Sequence, residues 1–310
     1  MLKSIKVFAP ASIGNIGCGF DIMGMCIKKI GDEIQLKISK NLGIRINKIS
    51  GDNKLLPQNP KLNSVSIAIN SFLKENNIKV GFDVNLIKKM PIKSGLGSSA
   101  ASAVGGVFAV NALLKKNIQR HDLIKYAIDA EKVTSGHAFP DNVSASMLGG
   151  VILARSSNPL DVISLSYPND LYVIIIYQNI QIETRQAREI LPKNIPLKIA
   201  IKQWANIAGL VKGFESHNYG LIIKSIEDFI AEPLRSKLIP NYQKIKNLLQ
   251  SSVPNAFGIS GSGPSCFALT KSKKNAVIIQ SQLMELSENN NLNLSVFYSQ
   301  INNKGVEIIN

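Results

Sequence analysis

Pro91-Ile92-Lys93-Ser94-Gly95-Leu96-Gly97-Ser98-Ser99-Ala100-Ala101 is the stretch on which the fold turns. Just before it, Val80, Phe82, Val84 and Leu86 alternate with small or polar residues, which predicts a strand. Just after it, an uncharged run to Leu114 predicts a helix over about 96–114. The segment therefore joins a strand to a helix through two glycines. Glycine lets backbone approach a ligand closely. A helix start carries N–H groups with no intrahelical partner and a partial positive charge. Ser98, Ser99 and Ala100 keep that start uncluttered, so the residues compose an anion cradle suited to a di- or triphosphate. They also fit a tight, closely packed strand-to-helix turn. No lysine follows the last glycine, which excludes the GxxxxGK[ST] loop, and the surroundings do not form the GxGxxG unit of a parallel sheet. A first-turn hydroxyl is a hard oxygen that suits Mg²⁺. A magnesium site usually needs a carboxylate as well, and Glu131, in a helix predicted over 122–134 with few acids around it, is the candidate, though a lone helix Glu also fits a solvated surface position.

Two further loops have the same texture. Ala9-Pro10-Ala11-Ser12-Ile13-Gly14-Asn15-Ile16-Gly17-Cys18-Gly19-Phe20-Asp21 follows the first alternating strand, Ile5-Val7-Ala9. Its Asn15 and Asp21 suit an amine or hydroxyl, or a side-chain-capped turn. Phe257-Gly258-Ile259-Ser260-Gly261-Ser262-Gly263-Pro264-Ser265 joins two short apolar strands. Three such loops exceed what turns require and suggest one shared pocket.

Outward from these loops, period-two alternation recurs at Ile34, Leu36 and Ile38. Helical spacing appears at Val65, Ala68, Ile69 and Phe72, capped by Asn63 or Ser64. Gly149–Ala154 reads as a buried strand. The second half starts near Ser157-Asn158-Pro159 and contains a continuous apolar strand at Leu171–Tyr177. Helices follow over 185–191, 197–214, 219–230 and 242–250, then strands over 256–260 and 266–270, a helix over 274–287 and a strand over 294–299. This alternation predicts an α+β chain of two domains, 1–157 and 158–310, a division that suits 310 residues.

Composition limits the partners. Apolar residues at 45% and charged residues at 18% support a sizeable core and exclude global disorder. Three cysteines without a CxxC pair fit a reducing, cytoplasmic setting. The net charge of +15 suggests nucleic acid or an anionic substrate. Yet the basic residues are scattered, with no run longer than pairs such as Lys88-Lys89, so no nucleic-acid partner is expected. Only Val7–Ala9 separates Lys6 from Pro10, too short for a signal segment. The uncharged run 94–114 is rich in Ala, Ser and Gly, whereas a membrane span needs roughly 20 predominantly apolar residues. No membrane partner is expected.

The three loops, in this order and at these separations, resemble the GHMP kinase superfamily, and the middle loop resembles its phosphate-binding signature. Within the superfamily the chain is most similar to the homoserine kinase family. The segments that carry this likeness are APASIGNIGCGFDIMG, PIKSGLGSSAAS, DNVSASMLGG, ETRQAREILP, IAEPLRSKLIP and GISGSGPSCFAL, which span nearly the whole chain.

The resemblance implies the GHMP kinase fold, a ribosomal protein S5 domain 2-like N-terminal domain followed by a ferredoxin-like C-terminal domain. It implies ATP-dependent phosphorylation of the L-homoserine hydroxyl with Mg²⁺, in threonine biosynthesis, by a homodimer. Carried over by motif, Pro91, Ile92, Lys93, Ser94, Gly95, Leu96, Gly97, Ser98, Ser99, Ala100 and Ala101 would bind ATP, with Asn63 and Val65 beside the adenine. Ser99 and Glu131 would hold Mg²⁺. Asn15, Asp21, Asp141 and Asn142 would contact homoserine, and Arg188 and Arg235 would clamp its carboxylate. Asp141 and Asn142 are the catalytic candidates, as orienting groups rather than a strong base. Independently of the resemblance, lysine outnumbers arginine 30 to 6, and a guanidinium fork grips a carboxylate in two places. The paired arginines separate this reading from a mevalonate or sugar kinase, while a basic RNA-binding protein, suggested by the charge of +15 and the S5-like half, is the other alternative and predicts salt-sensitive RNA binding without ATP turnover. One departure stands out. Members of the homoserine branch often have a histidine two residues before the aspartate of DNV. Here that position is Phe139, with His137 two residues earlier and Pro140 between Phe139 and Asp141. Either His137 reaches the substrate by another path or that contact is missing.

Overall fold

The computed structural model describes residues 3–136 and 139–309. Its first sheet has seven strands: β1 (Ser4–Gly14), β2 (Met23–Ser39), β3 (Ile44–Ser50), β4 (Gly81–Ile87), β5 (Val151–Ser157), β6 (Leu160–Leu165) and β11 (Glu307–Ile309). The order is β11-β1-β2-β4-β3, with β5 on the early part of β2 and β6 on β5. Val7 pairs with Ile34 and Leu36 with Val84, so the alternating apolar residues share one buried face. Four helices pack with this sheet: α1 (Ser64–Glu75), α2 (Ser98–Leu113), α3 (Arg120–Ser135) and α4 (Pro140–Leu148). The N-terminal part runs three strands, helix, strand, helix, as expected of an S5-like domain.

The uncharged run forms α2, which lies against β1, β2, α1 and α3. Its small residues set that depth. A Cβ at Gly105 would stand 2.2 Å from Ile34 Cδ1, and one at Gly106 would stand 2.8 Å from Val65 Cγ2. No helix among the described residues is long and apolar enough to cross a membrane.

The second sheet is β7 (Leu171–Gln178), β8 (Asn255–Ile259), β9 (Cys266–Lys271) and β10 (Leu294–Gln300), antiparallel in the order β10-β7-β9-β8. Helices α5 (Thr184–Glu189), α6 (Leu197–Glu215), α7 (Tyr219–Ser225), α8 (Glu232–Arg235) and α9 (Tyr242–Gln250) lie between β7 and β8 in sequence. Helix α10 (Ser272–Asn290) lies between β9 and β10. Strand order 4-1-3-2 with helical crossovers is the ferredoxin-like arrangement. The run 171–177 is apolar throughout because both faces of β7 are covered. Val173 and Ile175 join the core shared with the first sheet, while Ile174 and Ile176 join a second core with Ile245, Leu249, Ile279 and Leu283.

Several elements differ from the sequence-based expectation. The turn at 158–159 joins β5 to β6, and both strands belong to the first sheet. Residues 307–309 also return to that sheet beside β1. DNV lies in the first turn of a helix that the sequence-based expectation did not include: Pro140 stands at the first helical position, where its missing N–H costs nothing. Helix α7 stops at Ser225, short of the expected 230. The Asp228 carboxylate collects the N–H groups of Ile230, Ala231 and Glu232 and starts α8 instead.

Candidate active site

The three glycine loops meet. Ser12 N–H donates to Leu96 O at 3.1 Å, Gly261 N–H to Gly14 O at 3.0 Å, and Ser265 N–H to Ser94 O at 3.0 Å. Ser260 Oγ donates to Gly95 O at 2.7 Å, and Asn15 Nδ2 to Gly261 O at 2.8 Å. Glycine is required at two of these crossings. Gly95 has φ +80°, and a Cβ there would lie 2.4 Å from Ser260 O. Gly97 has φ +68°, and its Cβ would lie 2.2 Å from Ser12 Oγ and 3.0 Å from Asn142 Oδ1. The left-handed turn at Gly97 caps α2. The N–H groups of Ser98, Ser99 and Ala100 follow in its first turn, where helix geometry offers no internal acceptor. The rest of the motif supports this backbone. Leu96, Ala100 and Ala101 are buried in the core and Ser94 is buried beneath the loop, while Pro91 and Ser99 are exposed. Ile92 is half-buried. Lys93 pairs with Glu183, which precedes α5.

At the start of α2, Ser99 Oγ donates to Glu131 Oε1 at 2.6 Å and lies 2.7 Å from Ser64 Oγ. Burial pushes the Glu131 carboxyl up, against the opposing pull of the Ser99 hydrogen bond and the Lys88 ammonium. Ser64 has no signal in the sequence beyond its place after the cap Asn63. Asn63 caps α1 by accepting from Val65 N–H at 3.2 Å and donating to Pro57 O at 2.9 Å. Val65 itself is fully buried against α2, so its side chain is not available to flank a base.

Beyond Gly97 the acceptor end begins. Ser12 Oγ donates to Asn142 Oδ1 at 2.9 Å, which fixes the Asn142 amide over Gly14. Asp141, in the first turn of α4, is buried, and its Oδ1 has no partner among the described residues. Burial, reinforced by the Asp21 charge, pushes its carboxyl up to about 7. Asn15 has φ +74° and uses Oδ1 to accept Asp21 N–H at 3.1 Å, so both ends of its amide hold loops together.

Asp21 pairs with Arg188, which enters from α5. The Arg188 guanidinium stacks 3.9 Å from the Phe139 ring centre and 5.2 Å from that of Phe20. Arg235 lies 5.0 Å from the centre of the same Phe20 ring. The arginines, far apart in sequence, are therefore brought together through an aromatic ring. Arg235 is not a free fork, however. Its Nε donates to Ala187 O at 3.0 Å and its Nη1 to Gly261 O at 2.9 Å. Burial pulls its guanidinium down to about 10, still charged at neutral pH. Two-point clamping by both arginines is thus reduced to the remaining face of Arg235 and the part of Arg188 not held by Asp21. His137 lies outside the described residues. Phe139 occupies the neighbourhood as a cation–π partner of Arg188, a role invisible in the sequence because the two are 49 positions apart.

Two side chains under the phosphate loop also escaped the sequence reading. Asp32 and Lys88 form an ion pair with side chains 0% and 1% exposed.

This geometry joins an anion cradle, a hydroxyl–carboxylate pair and a mixed acidic and guanidinium pocket. Comparison with known proteins places it. Residues 63–150 match the family described as GHMP kinases N terminal domain, and residues 210–288 match GHMP kinases C terminal. The chain belongs to the GHMP kinases. Within them it falls with the homoserine kinases. It is 39% identical to the homoserine kinase of Chlorobium phaeobacteroides over 89% of both chains. It is 35% identical to that of Chloroherpeton thalassium over 99% of this chain and 100% of the other. A crystal structure of homoserine kinase from Cytophaga hutchinsonii superposes with TM-score 0.95 at 42% identity, covering 100% of this chain and 98% of that one. A Methanococcus jannaschii mevalonate kinase structure, at TM-score 0.70 and 19% identity over 96% and 98%, shares the fold.

Proposed function

We propose that the protein transfers the γ-phosphoryl group of ATP to the hydroxyl of L-homoserine, giving O-phospho-L-homoserine for threonine biosynthesis. The observation that carries this reading is the meeting at Gly97. On one side lies a helix start able to hold phosphates, and on the other lie Asn142, Asp141, Asp21, Arg188 and Arg235, chemistry matched to an amino-acid headgroup.

In this reading the N–H groups of Gly95, Gly97 and Ser98 and their neighbours hold the phosphates. The carboxylates of Asp21 and Asp141 attract the homoserine ammonium, and Arg188 and Arg235 attract its carboxylate. Asn142, locked by Ser12, donates toward the reacting hydroxyl. Ser99 and Glu131 fit Mg²⁺: a hydroxyl and a carboxylate within 2.6 Å of each other are hard oxygen donors. Among the described residues no set of three His, Cys, Asp or Glu gathers, as suits an ion held by one carboxylate together with substrate phosphates. Such an ion neutralises charge on the transferring group.

The hydroxyl oxygen forms the new bond to phosphorus as the bond to the β-phosphate oxygen breaks, and the hydroxyl proton leaves for a phosphoryl oxygen. Positioning and charge neutralisation account for the acceleration. The domain division follows the sheets: 3–165 with the strand at 307–309, and 171–300. A homodimer in the cytoplasm completes the proposal, and sedimentation of the purified protein tests the dimer.

The decisive assay is ADP release from Mg·ATP with L-homoserine, mevalonate, galactose or no acceptor. Turnover with homoserine alone is expected. Turnover with mevalonate or galactose instead would overturn the headgroup assignment while leaving the nucleotide site intact.

A further inference from the structure

Beneath the phosphate loop, Lys88 at the end of β4 reaches three acceptors. They are Asp32 Oδ2, Ser98 O at 3.0 Å and Ser102 Oγ at 2.9 Å. All three ammonium donors are used. Asp32, from β2, is equally filled. Its Oδ1 accepts the N–H of Lys89 at 2.8 Å and of Met90 at 3.1 Å, and its Oδ2 also accepts Ser98 Oγ at 3.3 Å.

Stability does not explain such a pair. Desolvation costs several kcal/mol per ion, and apolar replacements of buried pairs are often as stable or more so. The ammonium is felt at Glu131, where it opposes the effect of burial, but with its carboxylate the pair carries no net charge. What the pair does have is position. It grips the chain immediately before Pro91 and again in the first turn of α2, the two ends of the phosphate loop.

We infer that Lys88, anchored by Asp32, is a positioning residue that aims the phosphate-binding N–H groups. The peptide plane gives the mechanism. In a trans peptide, C=O and N–H point in opposite directions. Holding Ser98 C=O inward on Lys88 therefore turns Ser99 N–H outward, toward the cradle. Asp32 meanwhile fixes the backbone of Lys89 and Met90, so that Gly95 and Gly97 arrive at their crossings with the other loops. The pair hydrogen-bonds none of the residues assigned to homoserine and is expected to act on nucleotide alone.

The inference rests on the proposal that residues 91–101 bind nucleotide phosphates. Its test is D32N/K88M. The variant keeps an acceptor for the two amide groups, removes both charges together and conserves volume. Three quantities are measured: melting temperature, Mg·ADP affinity by calorimetry, and the KM for each substrate. The expected result is a folded protein whose Mg·ADP affinity and KM for ATP worsen tenfold or more. The KM for homoserine should stay within threefold. A merely structural pair would change the melting temperature and leave that split absent. If the double variant does not fold, K88Q takes its place. Its shorter amide can still donate to Asp32 but not to Ser98, and the same criteria apply. Unchanged ATP kinetics in a folded variant, beside wild-type protein that binds Mg·ADP, would overturn this inference alone. Wild-type protein that binds no Mg·ADP would overturn the nucleotide site and the inference with it.

Discussion

At the phosphate end of the cleft, Lys88, Lys89 and Lys93 each meet a carboxylate, from Asp32, Glu33 and Glu183. At the acceptor end, Asp141 has a buried oxygen and Arg188 a buried Nε without hydrogen-bond partners among the described residues. Burial and the Asp21 charge raise the cost of ionising Asp141 there, whereas the phosphate end balances its charges. The difference follows from the ligands. A polyphosphate brings dense negative charge of one kind, which a rigid backbone cradle and a helix start can meet. An amino acid brings both signs at fixed spacing, so the site must keep both signs incompletely compensated until it arrives.

This contrast is open to attack by substitution. The largest effect is expected from Glu131→Gln, which keeps the shape but removes the carboxylate that Ser99 donates to. The value of kcat should fall about a thousandfold, roughly 4 kcal/mol, with the KM for homoserine little changed. A fall under tenfold would remove Glu131 from ion binding.

Arg188→Met is expected to raise the KM for homoserine about a hundredfold, in the range of a lost charge-assisted pair, with the KM for ATP within threefold. Equal damage to both substrates would erase the division between the two ends.

Asp141→Asn probes the uncompensated charge directly. The folded carboxyl holds its proton to about pH 7, against 3.8 ordinarily. Between those values the folded chain binds more protons than the unfolded chain, so stability falls as pH rises through the window and the cost is complete above pH 7. The variant should therefore melt about 2 °C or more above wild type at pH 8, with the gap closing at pH 4. Its KM for homoserine should rise about tenfold. An unchanged KM with kcat down by three decades would make Asp141 a general base instead.

The smallest effect belongs to Lys93→Met. Its pair with Glu183 is exposed, and such pairs contribute about 0–1 kcal/mol, so the KM for ATP should move less than threefold. A tenfold change would show that Lys93 reaches phosphate.

The same contrast governs what the sequence made readable. The phosphate loop is local: strand, two glycines, small residues and helix start lie within some 20 positions, placed by alternation in the strand and by the uncharged run after it. The ferredoxin-like half was readable for a similar reason, since its helices and strands alternate cleanly. Asp32 and Lys88 lie 56 positions apart and carry no spacing signal, because strand pairing brings them together. Arg188 and Asp21 are 167 apart, and motif resemblance alone joined them. Resemblance also assigned Asn15 and Arg235 to substrate, whereas much of their hydrogen bonding goes to backbone that holds the loops in register. Helix α4 is absent from the helices expected from the sequence, since only nine residues form it, and Pro140 is its first residue.

The strand at 307–309 gives the molecule a relation to its own synthesis. It pairs with β1, so that strand waits for residues almost 300 positions later before this edge is covered. The glycine crossings impose a similar delay, since Gly95 has nothing to press against until residue 260 has emerged. A chain cut short during translation thus has its phosphate motif but neither a closed sheet nor an assembled cleft. Catalytic competence thus depends on contacts between stretches far apart in synthesis, 4–14 with 307–309 and 95 with 260.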